Sequence, residues 1–337
     1  MKVTIKDLAK EANVSITTVS LVLNHKKCRV SQETKDRIFH LANKYNYVVN
    51  LNARNLVKQK TSTIGLLIPD IENVFFSSLV KQIEYVCRQN NYSLVIVNSD
   101  EKAENDKNLI NLLVSRGVDG LLLVVSNESL NEENDVASLV KNLPVPYVMI
   151  DRFFQDIDSN KVYFDNVYGA HKIVELLIKN GHKKIGCITS PAVNQNGSQR
   201  VNGYFKAMKE YSLEIKDEYI FEGNFQFESG YAAAEHFKDT DVTAIFSCNG
   251  MMTLGLCKYL QDHNVFVPDE VSIVTYDNIL NHFMIGTNIT AIKQDIPTLA
   301  ENACDVLFKQ IDDKSISNKT VVLVPELIVN QSIKKLN

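Results

Sequence analysis

No stretch of these 337 residues approaches the roughly 18 consecutive apolar positions that a membrane-spanning helix requires, and the amino-terminal segment has no apolar core of the kind that directs secretion. A membrane or exported protein is therefore not expected, and the reading is a cytoplasmic one. The six cysteines, at 28, 87, 187, 248, 257 and 304, include no C-x-x-C pair. They mostly sit in apolar runs, where a thiol behaves as a small hydrophobe, which fits a reducing compartment. The seven histidines are scattered without metal-ligand spacing, and P-loop, G-x-G-x-x-G, H-E-x-x-H and G-x-S-x-G patterns are all missing. No metal, no cofactor and no catalytic residue is expected, and catalysis is disfavoured.

What is present is concentrated at the amino terminus. Residues 4–24 read TIKDLAKEANVSITTVSLVLN, two short amphipathic segments separated by a tight turn. Thr4 and Ser15 stand where a helix needs a hydroxyl to satisfy its first backbone N–H groups, and Asp7, three residues after Thr4, is a shortened capping box. Ile5, Leu8, Ala9 and Ala12 recur at helical spacing, as do Val19, Val22 and Leu23 after the turn. Asn13 tolerates the left-handed backbone that such a turn asks for. A third segment, 31–45, opens on the cap Ser31 and places Ile38, Leu41 and Ala42 to close a small three-helix core. Taken alone this pattern describes any helical hairpin. Charge separates the readings: residues 1–60 hold twelve Lys or Arg against four Asp or Glu, a net of +8, while the other 277 residues carry 24 basic and 36 acidic groups, a net of −12. The whole-chain value of −4 hides a basic head on an acidic body, which suits phosphate attraction at one end and solubility at the other.

From residue 61 onward the pattern changes. Apolar runs at 64–68, 94–97, 120–125, 147–150, 185–189, 244–248 and 271–276 lack strict alternation and read as buried parallel strands. Segments such as 75–89, 168–180, 198–211, 251–262 and 298–311 read as crossover helices between them. Some 277 residues suffice for two α/β lobes. In such sheets ligands sit at the carboxyl ends of the strands. Asp151, Asn249 and Asp277 fall at those ends, and Arg200 falls in the first turn of the helix after Thr189.

The head motif, the stretch from Tyr47 to Leu56, IGLLIPDIENVFF from Ile64 and VPDEVSIVTYD from Val267 together resemble the lactose-repressor/galactose-repressor (LacI/GalR) family of bacterial transcription regulators, over essentially the full length. The resemblance implies a DNA-binding repressor of α/β class: a small all-α helix-turn-helix head (1–48), a hinge (49–60), and two doubly wound lobes of periplasmic-binding-protein type (61–337). The implied lobes are 61–160 with 291–320, and 161–290 with 321–337, with crossings near 160, 290 and 320. It implies that Ile16, Thr17 and Leu21 touch base edges in the major groove, Leu21 standing where many relatives have Arg. Thr4, Ser15, Thr18, Ser20, Asn24 and Tyr47 match phosphate-holding positions. In the hinge, Leu56 matches the leucine that wedges between base steps, Ala53 the small residue permitting close approach, and Asn50 and Arg54 groove or backbone contacts; Val49 replaces the usual proline. Isolated, so short a hinge cannot repay helix nucleation and is expected to order only on DNA.

Phe75, Asp151, Arg200, Phe225, Asn249, Asp277 and Gln294 match the family's effector positions. A carboxylate that accepts from hydroxyls, an Arg fork and an aromatic platform suit a small polyhydroxylated ligand, and the expectation is a sugar or sugar derivative. Asp151 and Asn249 equally suit helix capping or hydrogen bonds between lobes, and Phe76 reads as core. The partners implied are double-stranded DNA with a pseudo-palindromic operator, a sugar-type effector and a second copy of the chain as a homodimer, no leucine heptad tail for a tetramer being seen. Two other readings share the fold: a regulator controlled by a phosphorylated carrier protein or a corepressor, and a solute-binding protein, which the basic head and missing leader disfavour.

Overall fold

The computed structural model of the chain describes residues 3–24, 26–47, 60–130, 135–191, 194–278 and 286–336, in two compact units, Met1–Thr61 and Ser62–Asn337. The hinge residues Asn50, Ala53, Arg54 and Leu56, with Val49, lie outside the described residues.

The small unit is the expected helical trio: α1 (Ile5–Glu11), α2 (Ile16–Leu23) and α3 (Gln32–Lys44). Its helix starts are made locally. The Asp7 carboxylate accepts from the Thr4 N–H at 2.8 Å and from its hydroxyl at 2.7 Å. Ser15 Oγ accepts from the Thr18 N–H at 3.0 Å, and Ser31 Oγ from the Thr34 N–H at 3.2 Å. Asn13 takes the left-handed conformation with φ 52°, turning α1 into α2. Leu8, Ala12, Val19, Val22 and Ile38 then meet in one buried cluster. Glu11 ties the first helix to the end of the third, accepting from Lys44 Nζ and Tyr45 Oη, each at 3.2 Å.

The large unit contains two six-stranded sheets. The first runs β11 (Thr320–Leu323), β5 (Asn160–Phe164), β4 (Tyr147–Ile150), β3 (Gly120–Leu123), β1 (Thr63–Ile68), β2 (Ser93–Asn98), all parallel. The second runs β12 (Glu326–Ile328), β10 (Thr290–Lys293), β9 (Ser272–Tyr276), β8 (Ala244–Ser247), β6 (Ile185–Thr189), β7 (Ile220–Glu222), parallel except that β12 runs against β10. The central strands β1, β3, β6, β8 and β9 are buried on both faces, hence their unbroken apolar runs. Helices α4 (Val74–Gln89), α5 (Ala103–Ser115), α6 (Val136–Lys141) and α11 (Ile296–Asp312) cover the first sheet. Helices α7 (Asn166–Lys179), α8 (Gln195–Glu210), α9 (Phe227–Phe237) and α10 (Gly250–Asp262) cover the second. Among the described residues no helix is long and apolar enough to cross a membrane.

Three expectations need correction. The chain changes lobe one strand later than the sequence suggested each time: β5, β10 and β11 stay with the preceding lobe, so the crossings lie at 165, 294–295 and 324–325. Strands β5 and β11 alternate in burial and so escape a search for continuous apolar runs, while β10 is only four residues long and ends on the exposed Lys293. The helix expected from 198 begins at Gln195, because Asn194 caps it through the Gly197 N–H at 3.0 Å, and Arg200 therefore sits in its second turn. Helices α9 and α10 cross in direct contact through glycines: a Cβ on Gly230 would lie 1.9 Å from the Met252 carbonyl, and one on Gly255 would lie 1.9 Å from that of Phe227.

Candidate DNA-reading face and interlobe cleft

On the head, α2 divides cleanly. Val19 and Val22 are buried, while Ile16 and Thr17 are exposed and Leu21 is half-exposed on the opposite side, which is where base-reading residues must be. The polar set has local duties as well. Ser15 caps α2 and its hydroxyl meets that of Thr18 at 2.9 Å. Asn24 Nδ2 donates to the Ser20 carbonyl at 2.7 Å, closing the helix's other end. Thr4 is exposed beside Asp7, and Tyr47 leans on the head's core, burial pushing its phenol pKa up. Hydroxyl and amide groups thus stand at both ends of α2, and groups of this kind can orient a phosphate backbone without reading sequence.

In the body, the carboxyl ends of both sheets face a common cleft of about 660 Å3, counting its open mouth. Six of the seven sequence-selected residues line it: Phe75, Asp151, Arg200, Phe225, Asn249 and Asp277. Gln294 does not. It lies behind Arg200, its Oε1 3.5 Å from Nη2, and steadies the guanidinium.

Arg200 is the best-held charge in the cleft, with 7% of its side chain exposed. Its Nε donates to Asn166 Oδ1 at 3.0 Å and its Nη1 to the Cys248 carbonyl at 2.8 Å. The guanidinium lies 3.9 Å over the Tyr276 ring, and Nη1 is 3.6 Å from Asp277 Oδ2. Burial raises the Asp277 pKa above the ordinary carboxylate range, opposed by Arg200 and by the Gly250 N–H. Asp151 is raised for the same reason, against the pull of Arg152 and Arg200 and a bond from Asn196 Nδ2 at 2.7 Å. That bond joins the lobes, so of Asp151's alternatives the interlobe one is realised, with the cleft position as well. Asn249 likewise does both: its Oδ1 accepts from the Met252 N–H at 2.9 Å as the cap of α10, and it borders the cleft.

Three lining residues, Asp151, Phe225 and Asp277, have left-handed backbones with φ 65°, 68° and 78°. Non-glycine residues there cost of order 1–3 kcal/mol each, tolerated only where the surroundings over-determine them.

The sequence reading passed over Asn73, Arg152, Asn194 and Asn196, all of which line the cleft. Asn73 and Asn194, like Asn249, cap helices that follow the ends of β1, β6 and β8, so an Asn cap after a buried strand was the available signal. Arg152 had none. It is oriented by Glu101, 51 positions away, both carboxylate oxygens at 2.9 Å from Nη1, and lies 5.2 Å over the Phe76 ring. Phe76 is core, as expected, but its edge also lines the cleft.

Two family models match parts of the chain. Residues 4–50 match the family described as bacterial regulatory proteins, lacI family, and residues 174–333 match the periplasmic binding protein-like domain. The HTH-type transcriptional repressor PurR of Mannheimia succiniciproducens is 32% identical over 335 residues, 99% of each chain. The PurR repressor of Vibrio campbellii is 31% identical over 338 residues, again 99% of each. Among solved structures, the lac repressor dimer bound to operator and the anti-inducer ONPF superposes with a TM-score of 0.88 at 23% identity, covering 99% of this chain and all (100%) of that one. The complex of the transcriptional regulator CelR with cellobiose gives 0.73 at 24% identity, over 98% and 99% of the two chains. The structural likenesses speak to the fold.

Proposed function

Because this chain belongs to the LacI family and is a DNA-binding transcriptional repressor, we propose that it represses a carbohydrate uptake or catabolism operon and is governed by a small polyhydroxylated effector held in the interlobe cleft. The observation that carries the effector reading is the buried Arg200 set 3.6 Å from Asp277 beside Phe75 and Phe225. A fork of donors, a carboxylate acceptor and apolar rings fit a sugar's hydroxyls and its C–H face. Asn249 and Asp151 supply further polar contacts, with Gln294 acting through Arg200.

Ile16, Thr17 and Leu21 read the major groove, and Thr4, Ser15, Thr18, Ser20, Asn24 and Tyr47 hold phosphates. Asn50, Ala53, Arg54 and Leu56 form the minor-groove contact of a homodimer on a pseudo-palindromic operator. Effector binding changes the balance between two arrangements of the lobes, and this alters whether two hinges can meet on DNA.

A second reading is a planar nitrogen heterocycle, favoured by aromatic rings from both lobes, Phe75 and Phe76 from one and Phe225 from the other, around the same space. One experiment separates them. The purified chain is heated with a panel of sugars, sugar phosphates, nucleobases and nucleosides. A true effector at a hundredfold excess over its Kd stabilises the native state by about 2.7 kcal/mol, which moves the midpoint of a body this size by roughly 5 °C. A shift with heterocycles alone selects the second reading, and no shift with either class refutes a small-molecule effector of both kinds. Sequencing genomic fragments retained with and without the active compound then gives the operator and the sign of the response.

A further inference from the structure

We infer that Gln195 is a positioning residue for the cleft, a clamp inside the chain that holds the two walls in register without a ligand. Gln195 is the first residue of α8 in the second lobe, and Phe153 follows β4 in the first. The Phe153 N–H donates to Gln195 Oε1 at 3.1 Å, and Gln195 Nε2 donates to the Phe153 carbonyl at 2.9 Å. One side-chain amide thus pairs with both hydrogen-bonding groups of one residue, as a neighbouring strand would. Among side chains that are uncharged at neutral pH, a carboxamide offers a donor and an acceptor in one plane at that spacing.

Both ends are anchored. The Phe153 ring is 5% exposed, packed 4.4 Å from the Tyr163 ring with Lys161 Nζ 5.1 Å from its face. Gln195 is fixed at the capped start of α8, the helix that carries Arg200. The adjacent pair, Asn196 on Asp151, extends the contact by one more bond. Neither Gln195 nor Phe153 is among the cleft-lining residues, so loss of the clamp removes no ligand contact. Its effect is confined to the fraction of molecules whose walls are in place, and apparent ligand affinity scales with that fraction.

Hydrogen exchange on the full-length chain, without DNA or ligand, tests this. In Gln195→Ala the amides of residues 152–154 and the first turn of α8 should exchange roughly tenfold faster than in the parent, with β1, β3, β6 and β8 unchanged. Gln195→Glu adds a reading that a merely structural role would not move. At neutral pH its carboxylate can still accept from the Phe153 N–H but sets an acceptor instead of a donor against the Phe153 carbonyl, and exchange of the segment should be faster than in the parent. In acid the protonated carboxyl regains an O–H, and protection relative to the parent at the same pH should return. The charged groups of this region are Asp151, Arg152 and Lys161 from the first lobe and Arg200 from the second, and each variant is therefore read against the parent at the same pH. Unchanged exchange in Gln195→Ala, or Gln195→Glu that follows Gln195→Ala at both pH values, overturns the clamp. Because no effector enters the measurement, that result leaves the effector reading standing, and failure of the ligand panel leaves the clamp standing.

Discussion

Removal of the Arg200 guanidinium should destabilise the body of the protein by about 3 kcal/mol at pH 7, near the lower end of the 3–5 kcal/mol range for breaking a buried charge pair. Arg200→Ala strips the donor from Asn166 Oδ1 and from the Cys248 carbonyl, at 3.0 and 2.8 Å, and leaves Asp277 without its nearest cation. Each buried acceptor left unpaired costs about 1–3 kcal/mol. Asp277 keeps 18% of its side chain exposed at the cleft, so water offsets part of its loss and the lower figure applies. The deficit carries a pH signature. Burial already holds the Asp277 pKa above its ordinary value and Arg200 pulls it back down, so deletion raises it further. For an acid with a raised folded pKa the native state is least penalised below the unfolded value of about 3.9 and loses ground as pH rises through the folded one. Urea titrations of variant and parent should therefore show the full gap at pH 7 and a smaller one near pH 4, with equal m-values. Arg200→Ala combined with Asp277→Asn removes the stranded charge and should recover part of the loss at pH 7. A gap below 1 kcal/mol at pH 7, or one that does not shrink in acid, would refute the buried-pair account.

Other consequences are independent of the cleft. His182 is 1% exposed, with Nδ1 2.9 Å from Thr243 Oγ1 and Nε2 3.0 Å from the Lys334 carbonyl, and burial lowers its pKa. The fold favours its neutral form, so its contribution is complete above about pH 6.5 and is lost as pH falls below it; the thermal-midpoint gap between parent and His182→Gln should narrow from pH 7.5 to 5. Glu175 is held at about 2 by hydrogen bonds from Lys179, Lys172 and Tyr211. Its contribution is present above the ordinary glutamate pKa and lost as pH falls toward 2; discounted for exposed lysine partners, Glu175→Gln should cost about 1 kcal/mol at pH 7 and nothing at the acid end of a denaturant series. Gly255→Ala forces a methyl to within 1.9 Å of the Phe227 carbonyl, and chemical denaturation should show a loss of about 3 kcal/mol. Leu21→Arg supplies a fork at the half-exposed position of α2, and fragment selection should then recover operators with a guanine gained at one symmetric position, a preference of about 1–3 kcal/mol.

The head was almost wholly legible because its determinants are neighbours in the chain. Ser15 caps through Thr18, Ser31 through Thr34, and Asn13 bends a turn that its own side chain tolerates. The central strands were legible too, since burial on both faces writes a continuous apolar run. Strands β5 and β11 wrote a weaker signal because their burial alternates, and the crossings beside them were placed one strand early for that reason; β10 was missed through its shortness. In the cleft, Asp151, Asn249 and Asp277 could be picked out by their place at strand ends and Arg200 by its place early in the helix after one, and Phe75 and Phe225 by resemblance. Arg152 could not, because what turns it into the cleft is Glu101, and Gln294 went into the lining when its place is behind Arg200. Sequence by itself thus determined the elements, the caps, the basic head and most of the residue types that meet at the cleft. Tertiary structure alone decided which lobe owns each marginal strand, which charges orient one another, and that Gln195 grips Phe153 across 42 positions. Local hydrogen bonds and periodic burial act over a few residues and leave a mark on the chain; pairings between lobes are set by how two folded surfaces meet, and no spacing records them.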